Sequence, residues 1–177
     1  MTRSIWIASL SMALWCAAAQ AETANTADNE EQSVRDNIVR RNNRGLKLSL
    51  SPGVMIPVDG GPAAFSIGLQ TTYGFDLPVV MLLPGLEGEY VTSTEGMILA
   101  MGTLRVVFPL GFFGPYLQGG IGYGHLGGTP STDALALSVG AGFMLYLSRL
   151  SLGVTAGYHT LVGTGSSWIS IGPVLAF

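Results

Sequence analysis

From Leu46 to Phe177, apolar side chains recur at every second position in segment after segment. A period of two places them on one face of a β-strand, because successive side chains of an extended chain point to opposite sides. The first segment sets Leu46, Leu48, Leu50, Val54, Ile56 and Val58 against Lys47, Ser49, Ser51 and Gly53. The second sets Phe65, Ile67, Leu69, Tyr73 and Phe75 against Ser66, Gly68, Gln70, Thr72 and Gly74. The third sets Val80, Leu82, Leu86 and Tyr90 against Gly85, Glu87 and Glu89, and the fourth sets Ile98, Ala100, Leu104, Val106 and Phe108 against Thr103 and Arg105. Four more follow, with Leu117, Ile121 and Tyr123, then Leu135 to Leu147, then Leu150 to Tyr158, then Ile169, Ile171, Leu175 and Phe177 on their apolar faces. Each segment is close to the ~9–11 residues that cross a bilayer as a strand. Turn-forming residues separate them, at Asp59-Gly60-Gly61-Pro62, Asp76-Leu77-Pro78, Thr94-Glu95-Gly96, 109–114, 127–133, Ser148-Arg149 and 163–166.

Alternation suits a soluble barrel as well as a membrane one, and the polar face discriminates between them. A water-facing surface carries roughly 25–35 % charged residues. Here the non-apolar face is mainly Gly, Ser, Thr and Ala, with Lys47, Glu87, Glu89 and Arg105 its only charges within the strands. Charged residues are 11 % of the chain, glycine numbers 25, and mean hydropathy is +0.45. No stretch after residue 21 approaches the ~18 apolar residues of a spanning helix. The apolar face carries no charge, as lipid demands, since Lys or Arg at mid-depth costs ~2–4 kcal/mol. The apolar face is therefore expected to point out, into lipid. The other phase points into a bore that eight strands leave just wide enough for side chains to fill, so Tyr116, Tyr146, Met101 and Met144 are expected to occupy it, with inward glycines such as Gly120, Gly122, Gly140 and Gly142 making room. Tyr73, Phe75, Tyr90, Phe108, Tyr123, Tyr158 and Phe177 sit near segment ends, where interfacial girdles lie. The expected fold is all-β, an eight-stranded antiparallel up-and-down transmembrane barrel over residues 45–177.

Two segments precede it. Arg3, the apolar run Ile5 to Trp15 and the small-x-small triplet Ala19-Gln20-Ala21 make residues 1–21 a signal peptide, with cleavage expected before Glu22. Cys16, the single cysteine, lies inside it, and Trp15 beside it does not suit a lipoprotein signal. Residues 22–44 form a polar lead, acidic first (Glu22, Asp28, Glu30, Glu31) and then basic (Arg35, Arg40, Arg41, Arg44). Val34, Ile38 and Val39 are too few to bury, so disorder or a marginal helix is expected, with the arginines solvated rather than bound to lipid phosphate. The net charge of −3 gives no reason to expect a nucleic-acid partner.

The chain resembles the small eight-stranded outer-membrane barrels, the OmpA/OmpX-like superfamily, over residues 46–177. The most family-like stretches are Pro115-Tyr116-Leu117-Gln118-Gly119-Gly120-Ile121-Gly122-Tyr123-Gly124 and the two long segments around Ser148-Arg149. The terminus Ser170-Ile171-Gly172-Pro173-Val174-Leu175-Ala176-Phe177 matches the barrel sorting signal, carried by Ser170, Gly172, Leu175 and Phe177. The resemblance implies an integral bacterial outer-membrane location, periplasmic termini, insertion by the barrel-assembly machinery, and contact with outer-membrane lipid and lipopolysaccharide. Members are structural envelope proteins, adhesins, small pores or lipid-modifying enzymes. The surface segments are short for an adhesin, and a monomeric, non-enzymatic structural barrel without cofactor is the favoured expectation.

Three residues form the candidate site. Alternation turns Glu87, Glu89 and Arg105 inward together. With the hairpin centred on Glu95, position 87 faces 103, and Arg105 lies diagonal to Glu87, within reach of a long side chain. A structural charge pair is favoured over a gate, although ionisable groups at membrane depth point to function by default. Two histidines without a ligand-spaced cluster give no metal site. His125 lies on the outward phase, and the small lipid A deacylases carry such a histidine with a serine two residues on and an acidic partner. Gly127 stands at that serine position, so the carry-over fails. His159 is inward with no evident serine–acid partner, and Trp168 is expected to cap the rim.

Overall fold

The computed structural model describes residues 38–93, 96–147 and 150–177. The expected signal peptide (residues 1–21), residues 22–37 of the lead, and residues 94–95 and 148–149 lie outside the described residues. Eight strands follow one another: β1 (Gly45–Pro57), β2 (Ala64–Asp76), β3 (Met81–Val91), β4 (Met97–Val107), β5 (Phe113–Leu126), β6 (Thr132–Leu147), β7 (Leu150–Leu161) and β8 (Ser167–Ala176). Every neighbour pair is antiparallel, and β1 closes the barrel on β8 through pairs such as Leu50 with Leu175 and Val54 with Ile171. Closure removes the free sheet edges that lipid could not hydrogen-bond. Both termini of the barrel lie at one end, called here the near end. Connections 58–63, 127–131 and 162–166, with residues 92–93 and 96, lie at the far end. The first of these turns on Gly60 and Gly61, at φ 85° and 136°, a conformation that side chains with a Cβ rarely adopt.

The alternation predicts the faces. Leu46, Leu48, Phe65, Leu69, Leu86, Leu104, Leu117, Ile121, Val139 and Ile171 are exposed on the outside, while Ser49, Ser66, Gln70, Thr103 and Arg105 are buried within. The girdle aromatics Tyr73, Phe75, Tyr90, Tyr123, Tyr158 and Phe177 are likewise exposed. Uncovered apolar surface of this extent is what a lipid-embedded barrel presents.

The interior is filled as expected, with Tyr116, Tyr146, Met101 and Met144 all buried in it. At the near end Met81, Leu83, Val107, Tyr116, Met144, Tyr146 and Val174 pack into one buried apolar cluster. At the far end Met55, Val91, Met97, Leu99, Met101, Ala136 and Leu161 form a second, with Trp168 and Leu126 against it. The inward arginine and glutamines, Arg105, Gln70 and Gln118, lie in the layer between them. The inward glycines make room for the large ones. A Cβ at Gly142 would sit 2.6 Å from Cζ and Oη of Tyr116, and one at Gly114 would sit 2.7 Å from Cε2 of Tyr146. The bore is packed because bulky and absent side chains alternate around it.

The end of the lead takes the helical alternative and adds a docking site. Residues 38–43 are helical and seated in the near mouth, with Val39 fully buried in the near-end cluster and Asn42 and Asn43 buried beside it. One valine is too little to bury on a free helix, but here the barrel supplies the rest of the apolar surface. Arg40 and Arg44 are bound rather than solvated. Both pair with Asp76 at the end of β2, and Arg40 also donates to the carbonyl oxygens of Leu77 and Pro78, each at 2.8 Å.

Candidate functional site

The polar layer is built from inward positions on four adjacent strands: Gln70 on β2, Glu87 on β3, Thr103 and Arg105 on β4, and Gln118 on β5. Arg105 donates from Nε to Gln118 Oε1 at 2.9 Å and from Nη2 to Gln70 Oε1 at 2.5 Å. Gln70 Nε2 donates to Thr103 Oγ1 at 2.9 Å and to Gln118 Oε1 at 3.2 Å. Gln118 Nε2 donates to Glu87 Oε2 at 2.8 Å. The Arg105 guanidinium also lies over the Tyr116 ring, 4.3 Å from its centroid. Charge-assisted hydrogen bonds and the ring face both compensate a cation taken out of water.

The expected Glu87–Arg105 diagonal is replaced by this relay. Val91 pairs with Met97, so Glu87 faces Met101, and Arg105 faces Leu83, four residues from Glu87 along β3. A shift of two residues leaves every side chain on the same face, so alternation could not distinguish the two registers. Gln70 and Gln118 fill the resulting gap and join the acid to the arginine. Their signal in the sequence is their length. They are the long uncharged polar side chains on an inward face otherwise built of Gly, Ser and Thr on β2 and β5, apart from Tyr116 and the strand ends.

Glu89 stands apart from Arg105 and accepts a hydrogen bond from Ser66. Together with Glu87, His159, Ser66, Ser138 and Ser170 it lines a cavity of about 50 Å³, room for roughly three or four water molecules. His159 is inward, as its phase requires, and its Nε2 lies 2.9 Å from Ser170 Oγ. Ser170 thus has an inward role in the wall of the cavity, and Gly172 closes on the β1 backbone near Pro52 and Gly53. Leu175 pairs with Leu50 of β1 and Leu152 of β7, and Phe177 extends the seam by donating from its backbone N–H to the Leu48 carbonyl at 2.9 Å.

Two rim groups complete the inventory. On the outer face at the far end, Nδ1 of His125 donates to Asp133 Oδ1 at 2.6 Å, and the Tyr123 hydroxyl donates to the same oxygen at 2.5 Å. His125 therefore has an acidic partner that its sequence neighbourhood did not reveal, because β5–β6 pairing brings residue 133 across from 125. These bonds, that of His125 first, hold the Asp133 carboxyl below the usual carboxylate range. At the near rim the hydrogen bond from Arg44, with Arg40 beside it, does the same for Asp76. Inside the far mouth, Pro57, Pro62, Ala64, Leu126 and Trp168 with Thr92, Ser93 and Ser166 line an open cup of about 630 Å³ with no charged side chain among the described residues. Among the described residues no group of three or more His, Cys, Asp or Glu side chains is placed to hold a metal ion.

This closed, outward-apolar barrel has close relatives in shape. It superposes on the N-terminal β-barrel domain of Pseudomonas aeruginosa OprF with a TM-score of 0.54 at 14 % identity, covering 74 % of this chain and 97 % of that one. The fold is that of the small eight-stranded outer-membrane barrels. The outer membrane enzyme PagL matches with a TM-score of 0.53 at 16 % identity, covering 74 % of this chain and 98 % of that one. Neisserial surface protein A (NspA) matches with a TM-score of 0.52 at 11 % identity, covering 74 % of this chain and 94 % of that one. The sequence matches no protein-family model and no curated protein. At these identities the likeness concerns the barrel itself, and the activity has to be argued from the side chains.

Proposed function

We propose that this protein is a structural, non-enzymatic barrel of the bacterial outer membrane, closed to diffusion, with its termini in the periplasm. The observation that carries this reading is the filling of the bore. Two apolar clusters, one at each end, bracket a hydrogen-bonded polar layer, so an ion entering from either side meets packed Met, Leu and Tyr side chains before it meets water. Eight strands leave a bore of side-chain width, whereas open channels use roughly sixteen or more. Monomeric insertion, contact with lipopolysaccharide along the outward face and delivery through the barrel-assembly machinery belong to the same proposal. Planar-bilayer recording of the refolded protein should show a silent membrane, and sustained porin-sized channels would overturn the reading. The non-enzymatic part is tested by mass spectrometry of lipid A from cells with and without the protein, which should be unchanged.

One observation favours a second, surface-binding role. The far cup has the volume of a small-molecule site, ~300–1,000 Å³, and its uncharged walls suit a neutral ligand of mixed polarity. Trp168 is the only tryptophan after residue 15 and lines that cup, so its emission in the processed chain reports occupancy directly. A saturable change in Trp168 emission with a neutral amphiphile would support this role.

A further inference from the structure

We propose that residues 38–44 are a releasable stopper of the near mouth, held shut by the clasp of Arg40 and Arg44 on Asp76. The segment occupies the lumen instead of lying beside it. Val39 is 0 % exposed among the near-end apolar side chains, and Asn43 donates to the Val39 carbonyl at 2.9 Å while hydrogen-bonding Tyr146. The space left between this segment and Arg105 is only about 10 Å³. Undocking would therefore open Tyr146, Met144 and the underside of the arginine relay to water.

Three features make the seat releasable. Leaving the mouth strips Val39 of the barrel side chains it packs against, so the docked and undocked segment are two distinct states. Among the described residues its grip rests on Val39, partly buried Ile38, the Asn43–Tyr146 hydrogen bond and a clasp in which the Arg44 side chain is 66 % exposed and open to screening by salt. Docking also carries a penalty, because Nδ2 of Asn42 is buried with no hydrogen-bond partner among the described residues. The barrel wall is held by antiparallel pairing of every strand with both neighbours, so the stopper can open while the barrel stays folded.

The test is thiol accessibility in the refolded full chain carrying Cys16→Ser, with Val39→Cys as probe and Arg41→Cys, whose parent residue is exposed, as reference. With the clasp intact, residue 39 should react with a small water-soluble maleimide at least tenfold more slowly than residue 41. Asp76→Asn should bring the two rates within about threefold while the heat-modifiable mobility of the folded barrel is retained. If Asp76→Asn prevents folding, the pair Arg40→Gln and Arg44→Gln replaces it. Equal reactivity at 39 and 41 with the clasp intact would show that nothing is stoppered. Undiminished protection in folded clasp variants, or failure of both variants to fold, would show that the seat is permanent.

Discussion

Replacing Arg105 with alanine tests whether the polar layer is a compensated charge network. The substitution removes two hydrogen bonds, to Gln118 and Gln70, and the stacking on Tyr116. It also leaves Glu87 without the cation it is relayed to, although Gln118 still donates to it. Removing one partner of a buried pair costs about 3–5 kcal/mol. The acid and the arginine are joined here through amides and not directly, so the lower end, about 3 kcal/mol, is the working figure. The partner change Glu87→Gln separates the contributions. In Arg105→Ala with Glu87→Gln no buried charge is stranded, and what remains lost is two hydrogen bonds at about 0.5–1.5 kcal/mol each plus the ring contact. The double variant should therefore be more stable than Arg105→Ala alone, by about 1 kcal/mol, in a double-mutant cycle. Urea unfolding of the refolded barrel, followed by Trp168 emission and by gel mobility without heating, measures both. Arg105→Ala within about 0.5 kcal/mol of wild type would place Arg105 outside any energetically coupled network. A double variant less stable than the single would refute the charge argument.

Gly142→Ala should destabilise the barrel by about 1–3 kcal/mol, the usual cost of overpacking, because its Cβ would meet the Tyr116 ring and the Val154 carbonyl; Tyr116→Leu should return part of the loss in the same unfolding assay. Phe177→Ser should lower the amount of folded, heat-modifiable barrel in cells, since it removes the terminal aromatic of the sorting signal at the β1–β8 seam, and wild-type levels would refute that role. With periplasmic termini, Ser131→Cys at the far end should label on intact cells with an impermeant reagent and Phe112→Cys at the near end should not; the reverse pattern would invert the topology.

The sequence alone determined the architecture and the two faces. A strict period of two, eight times over, with an uncharged apolar phase and a small-residue phase, leaves an outward-apolar barrel as the consistent solution, and every inward charge was legible from its phase. One of the tertiary results was within reach of the same reading. Met81, Leu83, Met97, Leu99 and Met101 all occupy the inward phase, so the apolar seals follow from alternation once those positions are counted. Other features were not legible. Pairing register is invisible to a pattern whose period divides the shift, which is why Glu87 met Met101 and not Thr103, and why the two glutamines entered the relay. His125 met Asp133 only because the β5–β6 ladder laid one opposite the other. Residues 38–43 carry too little apolar surface to predict more than a marginal helix, and where that helix docks was decided by the closed barrel, which offers Val39 an apolar mouth with Asp76 at its rim. Periodicity records which way each side chain faces, and only closure of the sheet decides what it faces.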